Sequence, residues 1–173
     1  VSCLVSQIST WDAEGTVERA LERLRPIYRV ANGTASDASS PSSNTGDANA
    51  DAGQPGGGAA NVNRGDIKKK FVNLDMEEYR DLDLTIELFT RLLSEPEFHD
   101  LEAGIVLQAY LPDAVPALER LIAFAKERKA NGGAGIKVRL VKGANLAMER
   151  VEAELHDWKQ APYTSKEDVL SLI

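Results

Sequence analysis

Short apolar runs alternate with amphipathic stretches along this 173-residue chain, and that alternation leaves few folds open to it. Residues 1–8 are apolar and rich in β-branched side chains, the pattern of a buried strand. Val17, Ala20, Leu21, Leu24, Ile27 and Tyr28 then recur at helical spacing, with Glu18, Arg19, Glu22 and Arg23 on the other face. Residues 71–75 predict a second strand, residues 84–93 a helix and residues 104–110 a third strand. Val115, Leu118, Leu121, Ile122 and Ala125 form the next helical stripe. Residues 136–141 predict a fourth strand after a Gly132-Gly133 turn, and Ala144, Met148, Val151, Leu155 and Trp158 return to the helical period. Ser165 followed by Asp168 has the spacing of a helix start.

Nearly continuous apolar strands separated by helices imply a parallel sheet, so the chain is α/β. A doubly wound open sheet and a (β/α)8 barrel both fit this order. Four units are only half of a barrel, so the barrel alternative would be a partial (β/α)8 barrel of about four βα units.

One stretch interrupts the alternation. From residue 32 to residue 65 only Val62 is apolar and larger than Ala, and the rest is dominated by Ser, Asn, Asp, Gly, Ala and Pro. Such a segment cannot bury enough surface to offset its conformational entropy, so it is expected to be a disordered insertion. The expected organisation is a first βα unit over residues 1–30, the insertion over 31–66 and further βα units over 67–173.

The net charge of -7 argues against a nucleic-acid partner, which needs clustered Lys and Arg. The one dense basic run, Lys68-Lys69-Lys70, reads as a solvated loop boundary. A single cysteine, Cys3 in an apolar run, permits no internal disulfide and reads as a small core residue. No stretch approaches the ~18 apolar residues of a spanning helix, and the first residues lack the basic region of a signal peptide.

In a barrel the chemistry sits at the C-terminal ends of the strands. Here the second strand ends Asn73-Leu74-Asp75, the third Gln108-Ala109-Tyr110, and the fourth carries Arg139 and runs into Lys142-Gly143-Ala144. Side chains two apart share a face, so Asn73 goes with Asp75 and Gln108 with Tyr110. Each has a plain structural alternative. Asp75 fits a helix N-cap before Met76, and Gln108 fits a bond to a neighbouring loop. Arg139 fits an ion-pair partner of Asp75, and Lys142 a simple strand exit. Gathered at one rim of an apolar sheet they favour a site, because buried polar groups cost about 2–7 kcal/mol each when unpaired. No dinucleotide fingerprint, phosphate-binding loop or nucleophile elbow is present. His99 and His156 are too far apart in sequence for metal-ligand spacing, so no metal is expected. Trp11 and Trp158 read as packing residues.

Residues 1–6, 71–79, 106–110 and 139–149 resemble successive strand motifs of proline dehydrogenase, above all the domain found in bacterial bifunctional proline utilisation A proteins. Arg139-Leu140-Val141-Lys142-Gly143-Ala144 is the most specific of them. The resemblance implies a distorted (β/α)8 barrel that binds FAD and oxidises L-proline to 1-pyrroline-5-carboxylate. Electrons would pass to a membrane quinone, and a separate aldehyde dehydrogenase domain would complete oxidation to glutamate in a bifunctional parent. The implied location is cytoplasmic, or peripheral at the inner face of the cell membrane. By the same resemblance Asp75 and Arg139 are catalytic, while Gln108, Arg139, Lys142, Gly143 and Ala144 bind the cofactor. Leu4 stands where the family commonly has a Lys that helps hold the substrate carboxylate, and a late Arg pair of the family is not found. The chain alone is therefore expected to be inactive and prone to self-association through its sheet edges. Two other readings stand beside this one: an inactive remnant of that enzyme, and a different α/β barrel enzyme that holds a phosphate-bearing ligand at Lys142-Gly143.

Overall fold

The computed structural model describes residues 12–34, 69–76, 78–163 and 165–170. The expected strand at residues 1–8, with Cys3 and Leu4, lies outside them, as do Trp11 and most of the expected insertion. Three strands are described: β1 (Val72–Leu74), β2 (Ala103–Gln108) and β3 (Ile136–Val141). They form one parallel sheet in the order β1-β2-β3, with Val72 beside Ala103 and Ala103 beside Ile136. Around them run α1 (Ala13–Asn32), α2 (Leu82–Ser94), α3 (Ala114–Ala130), α4 (Leu146–Leu155) and α5 (Lys166–Leu170). Two short 3-10 turns, Tyr79–Asp81 and Pro96–Phe98, flank α2. The mixed α/β architecture with a parallel sheet is the one the alternation implies, and it is consistent with part of an α/β barrel.

The two faces of the sheet differ. Ala103, Ile105 and Leu107 of β2 point into the core with Leu74, and Val72, Ile136 and Val138 pack beside them. Helices cover this side, with Leu21, Leu24, Tyr28, Ile86, Phe89, Leu93 and Leu121 all buried. Tyr28 meets Phe98 edge to face at 5.9 Å between ring centres, which fixes α1 against the turn after α2. The other face carries Asn73, Gly104, Val106, Lys137 and Arg139, by the strict alternation of strand side chains. Gly104 is required there. A Cβ at this position would lie 2.5 Å from Asn73 Oδ1 and 2.7 Å from the Phe71 ring.

A buried arginine ties the layers together. Arg128 of α3 is 6% exposed, and its guanidinium donates to backbone carbonyls of Leu93, Phe98, His99, Leu101 and Ala134. The Leu93 carbonyl belongs to the last turn of α2, where backbone acceptors lack helical partners. Arg128 thus caps α2 and holds the path into β2. Burial pulls its pKa below the usual arginine value, yet the fork of carbonyls satisfies its donors.

Several stripes differ in the structure from their expected burial. Tyr28 is buried while Ile27 is half exposed. In α3 the buried line runs Ala114, Ala117, Leu121 and Arg128, and Val115 and Ile122 turn outward. Small residues let α3 approach the sheet, and the reach of Arg128 sets its rotation. The stripe Met148, Val151, Leu155 and Trp158 lies exposed, and α4 has no buried residue. Trp158, expected to pack, lies beyond the helix and stacks on His156 at 4.5 Å. The expected helix start at Ser165 is found: its Oγ accepts from the Asp168 N–H at 3.0 Å.

Replacing Arg128 with Met should leave the carbonyls of two helix ends without donors. We expect a loss of about 3 kcal/mol in unfolding free energy, measured by urea denaturation. Arg128→Lys should recover only part of it, because one ammonium cannot span the same fork.

Candidate functional site

The three parallel strands deliver their polar ends to a single rim. Asp75 follows β1 directly, and its Oδ1 accepts from Asn73 Nδ2 at 2.9 Å. The same oxygen lies 3.5 Å from a guanidinium nitrogen of Arg139. Both side chains are about 60% exposed, at 60% for Arg139 and 63% for Asp75. A long, solvated pair of this kind adds little stability and leaves donors of Arg139 directed to solvent. Asp75 does not cap a helix: the next turn begins at Tyr79, with Glu78 before it. Of the two structural alternatives raised for this pair, the Arg139–Asp75 contact is the one observed.

Gln108 ends β2 and is only 2% exposed. Its Nε2 donates to the Met76 carbonyl at 3.2 Å, and its Oε1 accepts from the Ala144 N–H at 3.0 Å. It therefore bonds the segments that follow both neighbouring strands. One amide orientation alone satisfies an acceptor at Met76 and a donor at Ala144 together.

β3 continues into Lys142, which is exposed, and Gly143. Gly143 has φ 141°, a conformation side chains rarely adopt, and a Cβ there would lie 2.5 Å from the Tyr110 ring. The glycine is thus needed for contact within the protein, whatever else approaches it. Backbone bonds extend the pairing beyond the strands, from Ala109 N to Val141 O and from Tyr110 N to Lys142 O. Asp75, Gln108, Arg139, Lys142, Gly143 and Ala144 accordingly gather at this end of the sheet, with Gln108 buried and the charged side chains exposed.

Other contacts at this end were not legible in the sequence. The Tyr79 N–H donates to Glu149 Oε1 at 2.9 Å, and the Tyr79 hydroxyl donates to Asp113 Oδ2. Burial, reinforced by Asp113, pushes the Tyr79 phenol up to about 12. Asp81 is buried, and its Oδ1 has no hydrogen-bond partner among the described residues. Burial and then Glu78 raise its pKa. No spacing marks Tyr79, since Asp113 and Glu149 lie in other units of the chain. A cavity of about 330 Å³ lies to one side, between Tyr79, Glu149 and Trp158, and Asp75 and Arg139 do not line it. No group of His, Cys, Asp and Glu suited to a metal occurs among the described residues.

A family model for proline dehydrogenase matches residues 60–169. The chain belongs to the proline dehydrogenase family. The structure is similar to that of proline utilisation A from Corynebacterium freiburgense, with 47% identity and a TM-score of 0.77. It is also similar to proline utilisation A from Bdellovibrio bacteriovorus inactivated by N-propargylglycine, at 32% identity and a TM-score of 0.73. Each match covers 99% of this chain and 14% of the other. The chain thus spans about a seventh of the length of these proteins. No curated protein matches the sequence at a significant level.

In this proline dehydrogenase segment, the raised Tyr79 phenol makes a testable pH signature. An acid whose pKa is higher folded than unfolded ionises first in the unfolded chain. Stability is therefore lost as pH rises from about 10 towards 12. Ultraviolet titration should show two phenols ionising near 12, those of Tyr28 and Tyr79, of which Tyr79→Phe removes one.

Proposed function

We propose that this chain supplies part of the site of an FAD-dependent enzyme that oxidises L-proline to 1-pyrroline-5-carboxylate within a longer protein. The observation that carries the reading is the rim itself. In a member of the proline dehydrogenase family, the ends of three consecutive strands bring Asp75, Gln108, Arg139 and Lys142 together. The donor set suits a flavin. Arg139 is more than half exposed, and its bond to Asp75 is long, so its guanidinium is available to an anionic group.

Bound FAD would supply the acceptor for the hydride that proline loses. The residues of this chain have narrower tasks. Arg139 and Lys142 set positive charge where negative charge grows during the reaction, and fixed charges in place beforehand need no reorganisation. Asp75 accepts from Arg139 at 3.5 Å, and both stand as the catalytic residues of the reading. Gly143 and Ala144 bring backbone to the cofactor side, and Gln108 belongs to the cofactor site as well.

In the same reading residues 1–30 and 67–173 belong to one (β/α)8 barrel of about four units here, interrupted by residues 31–66. Electrons pass on to a membrane quinone, and an aldehyde dehydrogenase domain belongs to a bifunctional parent. No described helix is long and apolar enough to cross a membrane. In this reading the quinone is met from a cytoplasmic or peripheral position. The chain by itself is expected to be inactive.

The test is to express the chain with its natural flanking sequence and record the visible spectrum. We expect a flavin band that L-proline bleaches without oxygen. Arg139→Met should slow bleaching on the order of 100-fold at saturating proline. A colourless protein, or a band that proline leaves unchanged, favours an inactive remnant or an enzyme of a phosphate-bearing ligand.

A further inference from the structure

β3 carries two cations on the sheet face that points away from the helical core. Arg139 stands near the rim beside Asp75, and Lys137 lies two residues deeper. The register sets Asn73, Gly104 and Lys137 side by side across the three strands. Gly104 has no side chain, and the Phe71 ring and Asn73 Oδ1 close over it. Lys137 Nζ lies 5.8 Å from the centre of that ring. Among the described residues Lys137 forms no ion pair. A ring face attracts a cation but does not neutralise it. Lys137 is exposed and Phe71 half exposed, whereas Gly104 and Val106 beside them are buried.

Among the described strands β3 is paired on one side only, and this chain covers 14% of each solved relative. In a closed barrel the inward side chains fill the interior as a packed core. Strands that complete the barrel over this face take the Lys137 ammonium out of water, and a charge so enclosed requires an opposite one. We propose that the face is covered by strands outside residues 1–173, and that one of them presents an Asp or Glu carboxylate to Lys137. The proposal rests on the reading of this chain as part of one barrel in a longer protein, and it is independent of the flavin.

Removing the ammonium exposes such a partner by its titration. Without Lys137 the enclosed carboxylate has lost its counter-charge, and burial raises its pKa above the free value of about 4. A carboxyl whose pKa is higher folded than unfolded destabilises the fold as pH rises. The deficit of Lys137→Met is therefore small at low pH and grows towards neutrality. The described charged groups near this face are Lys69, Asp75, Glu102 and Arg139. Glu102 precedes β2 by one residue and shares the face of Gly104 by alternation, so it is the local rival for Lys137.

The experiment uses the full-length protein, native and with Lys137→Met, each with and without Glu102→Gln. Thermal midpoints are measured at about pH 8 and about pH 5. We expect Lys137→Met to lower the midpoint by about 5 °C at the higher pH and by less than half of that at the lower. The same pattern should persist in the Glu102→Gln background. A native midpoint at the higher pH, or a deficit that does not change with pH, overturns the proposal. A pH dependence that Glu102→Gln abolishes makes Glu102 the partner and overturns it too. Acetylation of the folded native protein, read by mass spectrometry, tests the barrel reading separately. Lys137 should react far more slowly than Lys126, which is exposed on α3. Equal reaction means that the face is open, and the barrel reading fails along with the proposal. Where Lys137→Met does not fold, a crystal structure of the native full-length protein decides. A carboxylate from outside residues 1–173 within about 4 Å of Lys137 Nζ is expected, and an Nζ that meets only water or carbonyls overturns the proposal.

Discussion

The parallel pairing of β2 with a strand on each side is the constraint on which the described structure depends. All six of its residues, Ala103–Gln108, are buried. A strand in that position must be apolar along its length, must have both rows of backbone groups paired, and must be covered by helices on its core side. The sequence meets the first demand directly. The second is met by β1 and β3, and the third by α1, α2 and α3. Arg128 secures the third demand at the other end of the strand, because the carbonyls it collects lie where α2 gives way to β2.

Burial of β2 also explains why the site is where it is. Its two faces are unlike: Ala103, Ile105 and Leu107 enter the helical core, whereas Gly104 and Val106 lie on the face shared with Asn73, Lys137 and Arg139. Polar groups concentrate on the second face and at its upper rim, where Gln108 adds side-chain bonds to Met76 and Ala144 while β2 stays paired with β3. Charge is then carried by the flanking strands, which are exposed enough to keep Asp75 and Arg139 hydrated. A dry centre with charged shoulders can orient a planar ligand without desolvating isolated ions.

How much of this was legible in the sequence depended on whether the signal was local. β3 runs over the residues its apolar pattern marks, and Ser165 starts α5 through a bond spanning three residues. The gathering of Asp75, Gln108 and Arg139 followed from strand ends alone, since parallel strands put those ends together. A stripe, however, records which face is apolar and not what covers it. Met148, Val151, Leu155 and Trp158 keep helical spacing and are nonetheless exposed. The rotation of α3 was hidden for a related reason. An arginine reads as surface, and the carbonyls that make Arg128 a core residue lie up to 35 residues away. Gln108 shows the same limit. A bond to a neighbouring loop was among its expected roles, but the fact that it bonds two loops at once depends on register.

The most direct test of the account is a crystal structure of the full-length protein with FAD bound. The account predicts a flavin ring at the polar face of this sheet, in contact with Arg139 or Lys142, with Gln108 still bonded to Met76 and Ala144. A flavin held elsewhere, with Arg139 and Lys142 turned into contacts with other protein segments, would contradict it.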